Sequence, residues 1–216
     1  MSGNIEKALR SSILKCNEEV KRLTVDTNFS GSTLIVVAIK GRKLWCANVG
    51  DSRAVLGRQL ADERQWMAVA LSRDHKPDLP EEAKRILASG GRVLSYSDED
   101  GLPAGPARVC LRDEDIPGLA MSRSMGDCVA ASVGVLPQPE ILKIELSKDD
   151  KFILLASDGV FEFLTNEDVV KMVIPHWKIG DCDSALESIE RESVALWQKE
   201  EDVIDDITSL VVFLDA

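Results

Sequence analysis

The stretch LLASDGVFEF, residues 154–163, places a carboxylate directly behind a run of apolar residues. Residues 152–156 are typical of a buried strand, and Ser157, Asp158 and Gly159 follow at once. A carboxylate at the end of a buried strand loses part of its hydration, which is costly unless a partner compensates it. The stretch therefore raises the question of what Asp158 binds.

Composition indicates the class of protein. With 216 residues, 44% of them hydrophobic, the chain is long enough for a sizeable core, and a single domain over 1–216 is predicted. The net charge of −11 argues against nucleic acid as the partner, because phosphate contacts need clustered Lys and Arg, and it suits a site that collects cations.

Cysteine usage and hydropathy indicate the compartment. The five cysteines are scattered and odd in number, which predicts reduced thiols in a cytoplasmic or nuclear protein. Since the sequence shows no apolar run of about 18 residues, no membrane partner is expected.

Hydrophobic spacing predicts helices over 5–23, 80–91, 166–174 and 183–199, the third opened by a capping box of Thr165 and Asp168. Strands are predicted at 31–40, within 43–56, and at 66–72, 107–112, 139–147, 151–157 and 207–214. The pair 139–147 and 151–157 is expected to form a hairpin, and 95–106 a loop.

The order of these elements predicts the fold class. Helices bracket runs of short strands without βαβα alternation, so the class is α+β, with sheets packed together and helices outside. The strongly apolar stretches 34–39, 152–156 and 210–214 predict strands that are covered on both faces.

Three aspartates, Asp51, Asp158 and Asp205, lie where apolar strands begin or end. If these ends converge, the carboxylates repel one another unless a divalent cation neutralises them. Mg²⁺ and Mn²⁺ take such oxygen ligands, and a metal-bound water becomes a nucleophile near neutral pH. Taken singly, each aspartate also fits a turn residue that bonds the backbone.

Seven stretches of the chain resemble, in the family's order, the type 2C metal-dependent protein serine/threonine phosphatases. The stretches are GSTLIVVAI, ANVGDSRAVL, LSRDHKPDLPEEAKRILASGGRV, GLAMSRSMGD, PQPEI, ILLASDGVFEFLTNEDVV and DDITSLVVFL. The resemblance implies an αββα sandwich of two antiparallel sheets flanked by helices. It also implies Mg²⁺ or Mn²⁺ and a metal-bound water that attacks phosphoserine or phosphothreonine.

The resemblance also assigns the metal ligands. Asp158 matches the aspartate of the family's Ser-Asp-Gly motif, and Asp205 matches a second ligand, with Asp206 as the adjacent alternative. Asp51 in GDSR matches a residue that, with the Ser-Asp-Gly aspartate, holds a more weakly bound third metal. No catalytic residue beyond these ligands is implied.

Three further polar residues lie in or near these stretches. Asp127 in SMGD is expected to be structural or supporting, and His75 in DHKP to be structural rather than a catalytic acid. His176 matches no motif and is expected to be a partly exposed residue at a helix end.

The family's first metal motif, Asp-Gly-His-Gly-Gly, does not occur in the sequence. The resemblance implies that it lies upstream of the helix at 5–23 and carries the first strands of the sandwich. We therefore expect an N-terminally truncated fragment of a phosphatase, with a naturally shortened protein as the alternative. Exposed sheet edges could then lead to self-association.

The sequence leads to two main expectations for the function. A third possibility is an acidic adaptor that binds no metal. The first is a phosphatase acting on phosphoprotein substrates, incomplete or weakly active in this form. The alternative is a pseudophosphatase, a non-catalytic binding or regulatory module.

Overall fold

The computed structural model describes residues 4–60, 65–95 and 105–214. Its helices are α1 (Ile5–Val20), α2 (Pro80–Ala88), α3 (Cys128–Ala131), α4 (Asp158–Phe161), α5 (Asn166–Trp177) and α6 (Cys182–Glu200). Its strands are β1 (Gly31–Ser32), β2 (Leu34–Lys40), β3 (Lys43–Val49), β4 (Arg53–Gln59), β5 (Trp66–Ala70), β6 (Arg92–Leu94), β7 (Arg108–Cys110), β8 (Pro117–Leu119), β9 (Met125–Gly126), β10 (Glu140–Glu145), β11 (Asp150–Ala156) and β12 (Ser209–Phe213).

The contacts between these residues group the chain into two compact units. Unit 1 contains the chain up to Leu34 together with Ala47–Asp51 and Asp74–Glu140. Unit 2 contains Ile35–Cys46, Ser52–Arg73 and the chain from Ile141 onward. The single domain expected over 1–216 stays a prediction.

Unit 2 is built on a four-stranded antiparallel sheet with the order β12-β11-β4-β5. Strand β11 lies inside this sheet, and its side chains alternate between the two faces. Phe152 and Leu154 face a core completed by α5 and α6, with Val169, Val173 and Ile189 fully buried there. One outer face of the sheet is thus covered by helices.

The other face of that sheet meets a second sheet. Ile153 of β11 and Leu56 of β4 pack with Leu44 and Cys46 of β3, which lies between β10 and β2. Two sheets therefore pack face to face in unit 2. Cys46 is so deeply buried that burial raises the pKa of its thiol to about 12, which makes it a packing residue.

Unit 1 has a smaller core beneath a three-stranded antiparallel sheet of order β6-β7-β8. Ile86 of α2, Val109 of β7 and Ala130 of α3 are fully buried and share this core. Pro80 begins α2 at a position that needs no intrahelical N–H bond, as the sequence predicts.

A buried carboxylate organises unit 1. Glu82 of α2 accepts hydrogen bonds from Arg123 Nη2 at 2.7 Å, Arg85 Nη2 at 2.9 Å and Ser122 Oγ at 2.6 Å. Burial alone would raise the pKa of Glu82, but the hydrogen bonds from Arg123 and Arg85 outweigh burial and hold that pKa well below its ordinary value. The ion pairs join the helix to the segment 122–124.

The predicted class, α+β with antiparallel sheets, is confirmed, and so is the capping box of Thr165 and Asp168 at the start of α5. The predicted pairing of 139–147 with 151–157 is wrong, because β10 lies beside β3 whereas β11 pairs with β12 and β4. The chain crosses the core between them, so that Ile144 packs against the same cluster as Ile153 from the opposite sheet.

The prediction that the apolar strands are covered on both faces is correct for only part of them. Phe152, Ile153 and Leu154 are buried, but Leu210 is 51% exposed and Val212 is 42% exposed. Both belong to β12, which forms an edge of the sheet within the described residues. In the expected loop 95–106, residues 96–104 lie outside the described residues.

The short elements β6, β8, β9 and α3 were not predicted, because two to four residues carry too little periodicity to be recognised. Of the helices that the structure describes, none combines the length and apolar character that crossing a membrane requires.

Replacing Glu82 by Gln should lower the free energy of unfolding by about 3 kcal/mol, because two guanidinium groups then lose a buried counter-charge. Urea unfolding at pH 7 would measure the change. The matched control is Glu81→Gln, an exposed neighbour in the same helical turn, for which a change below about 1 kcal/mol is expected. Equal losses in the two variants would contradict the assigned role of Glu82.

Candidate metal centre

Asp158 lies where β11 ends and is the first residue of α4. Its side chain is half-buried, and its carbonyl oxygen accepts a hydrogen bond from the Glu162 amide at 2.8 Å. The following turn is held from α6, because Trp197 Nε1 donates to the Gly159 carbonyl at 2.7 Å. The backbone that carries Asp158 is therefore fixed on both sides.

A single hydroxyl ties this strand end to the segment that carries Asp205. Ser157 Oγ donates to the carbonyl of Asp206 and accepts from the amide of Thr208, each at 3.1 Å. Gly159 also approaches the segment closely, since a Cβ there would lie 2.5 Å from the Asp206 carbonyl oxygen. Asp158 and Asp205 thus lie on adjoining segments of unit 2.

Asp205 itself is exposed, and its Oδ1 accepts a hydrogen bond from the Asp206 amide at 2.8 Å. Asp206 is exposed as well and belongs to the same segment. Both carboxylates are therefore available near the end of β11, and Asp206 stays the adjacent alternative ligand.

Asp51 belongs to unit 1 and directly follows Gly50, whose φ of +98° favours glycine. Its side chain is only 3% exposed, and Lys76 Nζ lies 2.6 Å from its Oδ2. A buried carboxylate with an ammonium partner differs from the half-buried Asp158 and the exposed Asp205. The three aspartates therefore have three different environments.

His75 is fully buried and linked to Gly50 twice. Its backbone amide donates to the Gly50 carbonyl at 3.0 Å, and its Nδ1 lies 3.1 Å from the Gly50 amide, which donates to it. Burial and the nearby Arg123 lower the pKa of His75, and the carboxylates of Glu82 and Glu140 oppose this only partly. The neutral ring fits the structural role predicted for it.

The remaining polar residues also have structural environments. Asp127 is buried, has a left-handed φ of 42° at the start of α3, and accepts a hydrogen bond from Ser124 Oγ. His176 is partly exposed in the last turn of α5, as the sequence predicts.

Sequence reasoning missed two basic residues beside the aspartates. Lys76 contacts Asp51, and Arg53 of β4 lies opposite Ala156, two residues before Asp158. The Arg53 guanidinium lies 4.6 Å from the Phe161 ring centre and donates to Asn166 Oδ1 at 3.0 Å. Arg53 is the last residue of GDSR, and Lys76 is the third residue of DHKP. A basic residue close to an aspartate in each motif was the sequence signal that could have identified them.

The donor chemistry of these residues suits a hard cation, because carboxylate oxygens are the preferred ligands of Mg²⁺ and Mn²⁺. Asp158 and Asp205 supply two such donors on adjoining segments. Across residues 4–60, 65–95 and 105–214, no three His, Cys, Asp or Glu side chains are grouped so that they could hold a metal. The described residues therefore fit part of a metal site, and further ligands would have to complete it.

Comparison with known proteins identifies the family. The family model of protein phosphatase 2C matches residues 2–199. "Probable protein phosphatase 2C 35" of Arabidopsis thaliana is 38% identical over 221 residues, covering 96% of this chain and 62% of that protein. "Probable protein phosphatase 2C 12" of Oryza sativa subsp. japonica is 40% identical over 192 residues, covering 88% of this chain and 47% of that protein.

A solved structure agrees at the level of the fold. The serine-threonine phosphatase 2C from Toxoplasma gondii aligns with a TM-score of 0.77 at 21% identity, over 96% of this chain and 64% of that one. The chain belongs to the protein phosphatase 2C family, a metal-dependent family, as the seven stretches predict. It spans about half to two thirds of the length of the two curated relatives.

The buried, neutral His75 should make stability depend on pH. Because its folded pKa is lowered, the unfolded chain takes up a proton below about pH 6.5 before the folded chain does, so its stabilising effect is lost as pH falls. Between pH 7 and 5 the free energy of unfolding should fall more steeply in the wild type than in His75→Asn. The difference can reach at most about 1.4 kcal/mol per pH unit.

Urea unfolding at several pH values would measure both slopes. Since the other titrating groups are common to the two proteins, the difference between the slopes isolates His75. Identical slopes would show that the ring is not kept neutral by the fold.

Proposed function

We propose that the chain acts as a metal-dependent protein serine/threonine phosphatase that hydrolyses phosphoserine and phosphothreonine in proteins. The observation that supports this most is the bridge from Ser157 to the segment 206–208, which brings Asp158 and Asp205 onto adjoining segments. The two plant relatives, each named a probable protein phosphatase 2C, support the same reaction class.

The proposed ligands of Mg²⁺ or Mn²⁺ in unit 2 are Asp158 and Asp205. In unit 1, Asp51 is proposed separately as a ligand of such an ion. When bound, such an ion supplies an acidified water and stabilises charge on a transferring phosphoryl group. The chain's own residues hold the donors in place: Ser157 fixes the strand end, and Gly159 permits the close backbone approach.

Arg53 has a place in the same proposal. Its guanidinium is stacked on Phe161 and bonded to Asn166, and it carries positive charge near the strand end that bears Asp158. A fixed guanidinium can orient a phosphate group through paired N–H donors. We assign it a role in positioning rather than in proton transfer.

Mn²⁺-dependent hydrolysis of p-nitrophenyl phosphate and of a phosphothreonine peptide would test the proposal on this chain. Asp158→Asn and Asp205→Asn should each lower the Mn²⁺-dependent rate at least about 100-fold, because each removes a charged ligand. Asp206→Asn should be measured in the same assay. Of Asp205→Asn and Asp206→Asn, the variant that loses more of the Mn²⁺-dependent rate identifies the ligand.

The control for these variants is Asp113→Asn, which removes an exposed carboxylate in unit 1 and should leave the rate unchanged. A rate that survives in Asp158→Asn would contradict Asp158 as a ligand. Complete inactivity of the wild type towards both substrates would favour the second candidate function.

The second candidate is a non-catalytic binding module. The observation that favours it is that the described part of the chain assembles no group of three metal-binding side chains. Titration calorimetry distinguishes the two candidates, since Mn²⁺ binding without turnover fits the binding module. A Mn²⁺ titration that produces no heat of binding, together with absent turnover, would support an acidic adaptor.

We further propose phosphoproteins as the substrates and the cytoplasm or nucleus as the location. All five cysteines are free thiols, two of them buried, which supports a reducing compartment. The net charge of −11 opposes binding to nucleic acid and to acidic membrane surfaces.

Self-association through β12 is a separate proposal. Leu210 and Val212 are exposed on an edge strand, an arrangement that favours pairing with another chain. Sedimentation velocity should show species heavier than 23.7 kDa in the wild type and a monomer in Val212→Lys. The matched control is Ile179→Lys, an equally apolar exposed site away from the sheet edge, which should associate like the wild type. A wild type that stays monomeric at all concentrations would contradict this proposal.

A further inference from the structure

The carboxylate of Asp51 is held by a cation that the chain itself provides. Lys76 Nζ lies 2.6 Å from Asp51 Oδ2, and the carboxylate side chain is 3% exposed, whereas the lysine side chain is 30% exposed. A carboxylate charge so far from water destabilises the fold unless a positive partner lies beside it. The ammonium end of Lys76 meets this need.

The two residues are brought together by their neighbours in the chain. His75 and Gly50, which directly precede Lys76 and Asp51, are joined by hydrogen bonds of 3.0 and 3.1 Å. A further bond, from the Ser122 amide to the His75 carbonyl at 2.8 Å, anchors the other side of the same loop. The backbone therefore sets the Lys76 ammonium next to Asp51 before any ion is bound.

The two cations that Asp51 can accept exclude one another. A divalent ion on Oδ2 would occupy the space that Nζ fills, and two positive charges at that distance repel strongly in a poorly hydrated place. Lysine is suited to leave, because its charge sits on a flexible stem with three rotatable donors and strong hydration. The lysine side chain is 30% exposed, which gives the ammonium a route to water.

We propose that the Lys76 ammonium is an internal counter-cation that competes with a divalent cation for Asp51, so that Lys76 must move away before the ion binds there. This rests on the proposed function only in taking Asp51 as a metal ligand. It adds a built-in control of affinity: the ion at Asp51 binds more weakly than it would without the lysine.

Mn²⁺ titration calorimetry on four proteins tests the competition: the wild type, Lys76→Gln, Lys76→Arg and Asp51→Asn. Mn²⁺ binding that the wild type shows and Asp51→Asn does not is taken as the Asp51-dependent binding. Its affinity should rise about ten-fold or more in Lys76→Gln, because removal of the charge removes the competitor. Lys76→Arg, the control that keeps the charge, should change it less than about three-fold.

Thermal unfolding gives a second measure that requires no turnover. Without Mn²⁺, Lys76→Gln should melt below the wild type, because Asp51 then lacks its partner. Saturating Mn²⁺ should raise the melting temperature of Lys76→Gln more than that of the wild type. The double variant Asp51→Asn, Lys76→Gln should show neither effect. If Lys76→Gln is unfolded without metal, recovery of its circular dichroism by Mn²⁺ supports the proposal and its absence overturns it.

Equal Mn²⁺ affinity in the wild type and Lys76→Gln would overturn the proposal, and so would the lack of Asp51-dependent binding in both. These outcomes are separate from the fate of the phosphatase proposal. They are read from binding and melting at Asp51, whereas the phosphatase proposal is read from turnover and from Asp158 and Asp205.

Discussion

The hydroxyl of Ser157 forms the junction on which the candidate centre depends. It donates to one backbone group of the segment 206–208 and accepts from another, so the end of β11 and the start of β12 are joined there. Strand β11 is buried on both faces, and its last residue cannot shift without disturbing the core. The backbone position of Asp158, one residue after Ser157, is therefore fixed relative to the core of unit 2.

Local pattern predicted the elements of the fold better than their pairing. A continuous apolar run identified the buried strand 151–157, and Thr165 with Asp168 identified the start of α5. Hydrophobic pattern does not say which sheet a strand joins, because Ile144 and Ile153 are apolar for the same reason although they reach one core from opposite sheets. Pairing depends on packing between distant segments, which periodicity does not contain.

The same distinction applies to the candidate centre. Asp51, Asp158 and Asp205 are recognisable from their places beside apolar runs, and the resemblance to the family assigned them as metal ligands. Lys76 could not be recognised as the partner of Asp51 from the sequence, since 25 residues separate them and the link passes through the backbone of Gly50 and the buried ring of His75. A buried histidine gives no sign in the sequence of which segment it holds.

Two kinds of carboxylate bear on the candidate centre and on the ion pairs of the two units. Asp51, Glu82 and Asp150 are buried, and each has a basic partner within the chain, Asp150 through Arg58 at 2.6 Å. Burial makes those partners necessary, because an uncompensated buried charge would destabilise the fold. Asp158 is half-buried and Asp205 is exposed, so both keep contact with solvent. If Asp51 binds a divalent cation as we propose, it can do so only by giving up Lys76, which makes it the ligand whose metal binding is most directly opposed by the chain itself.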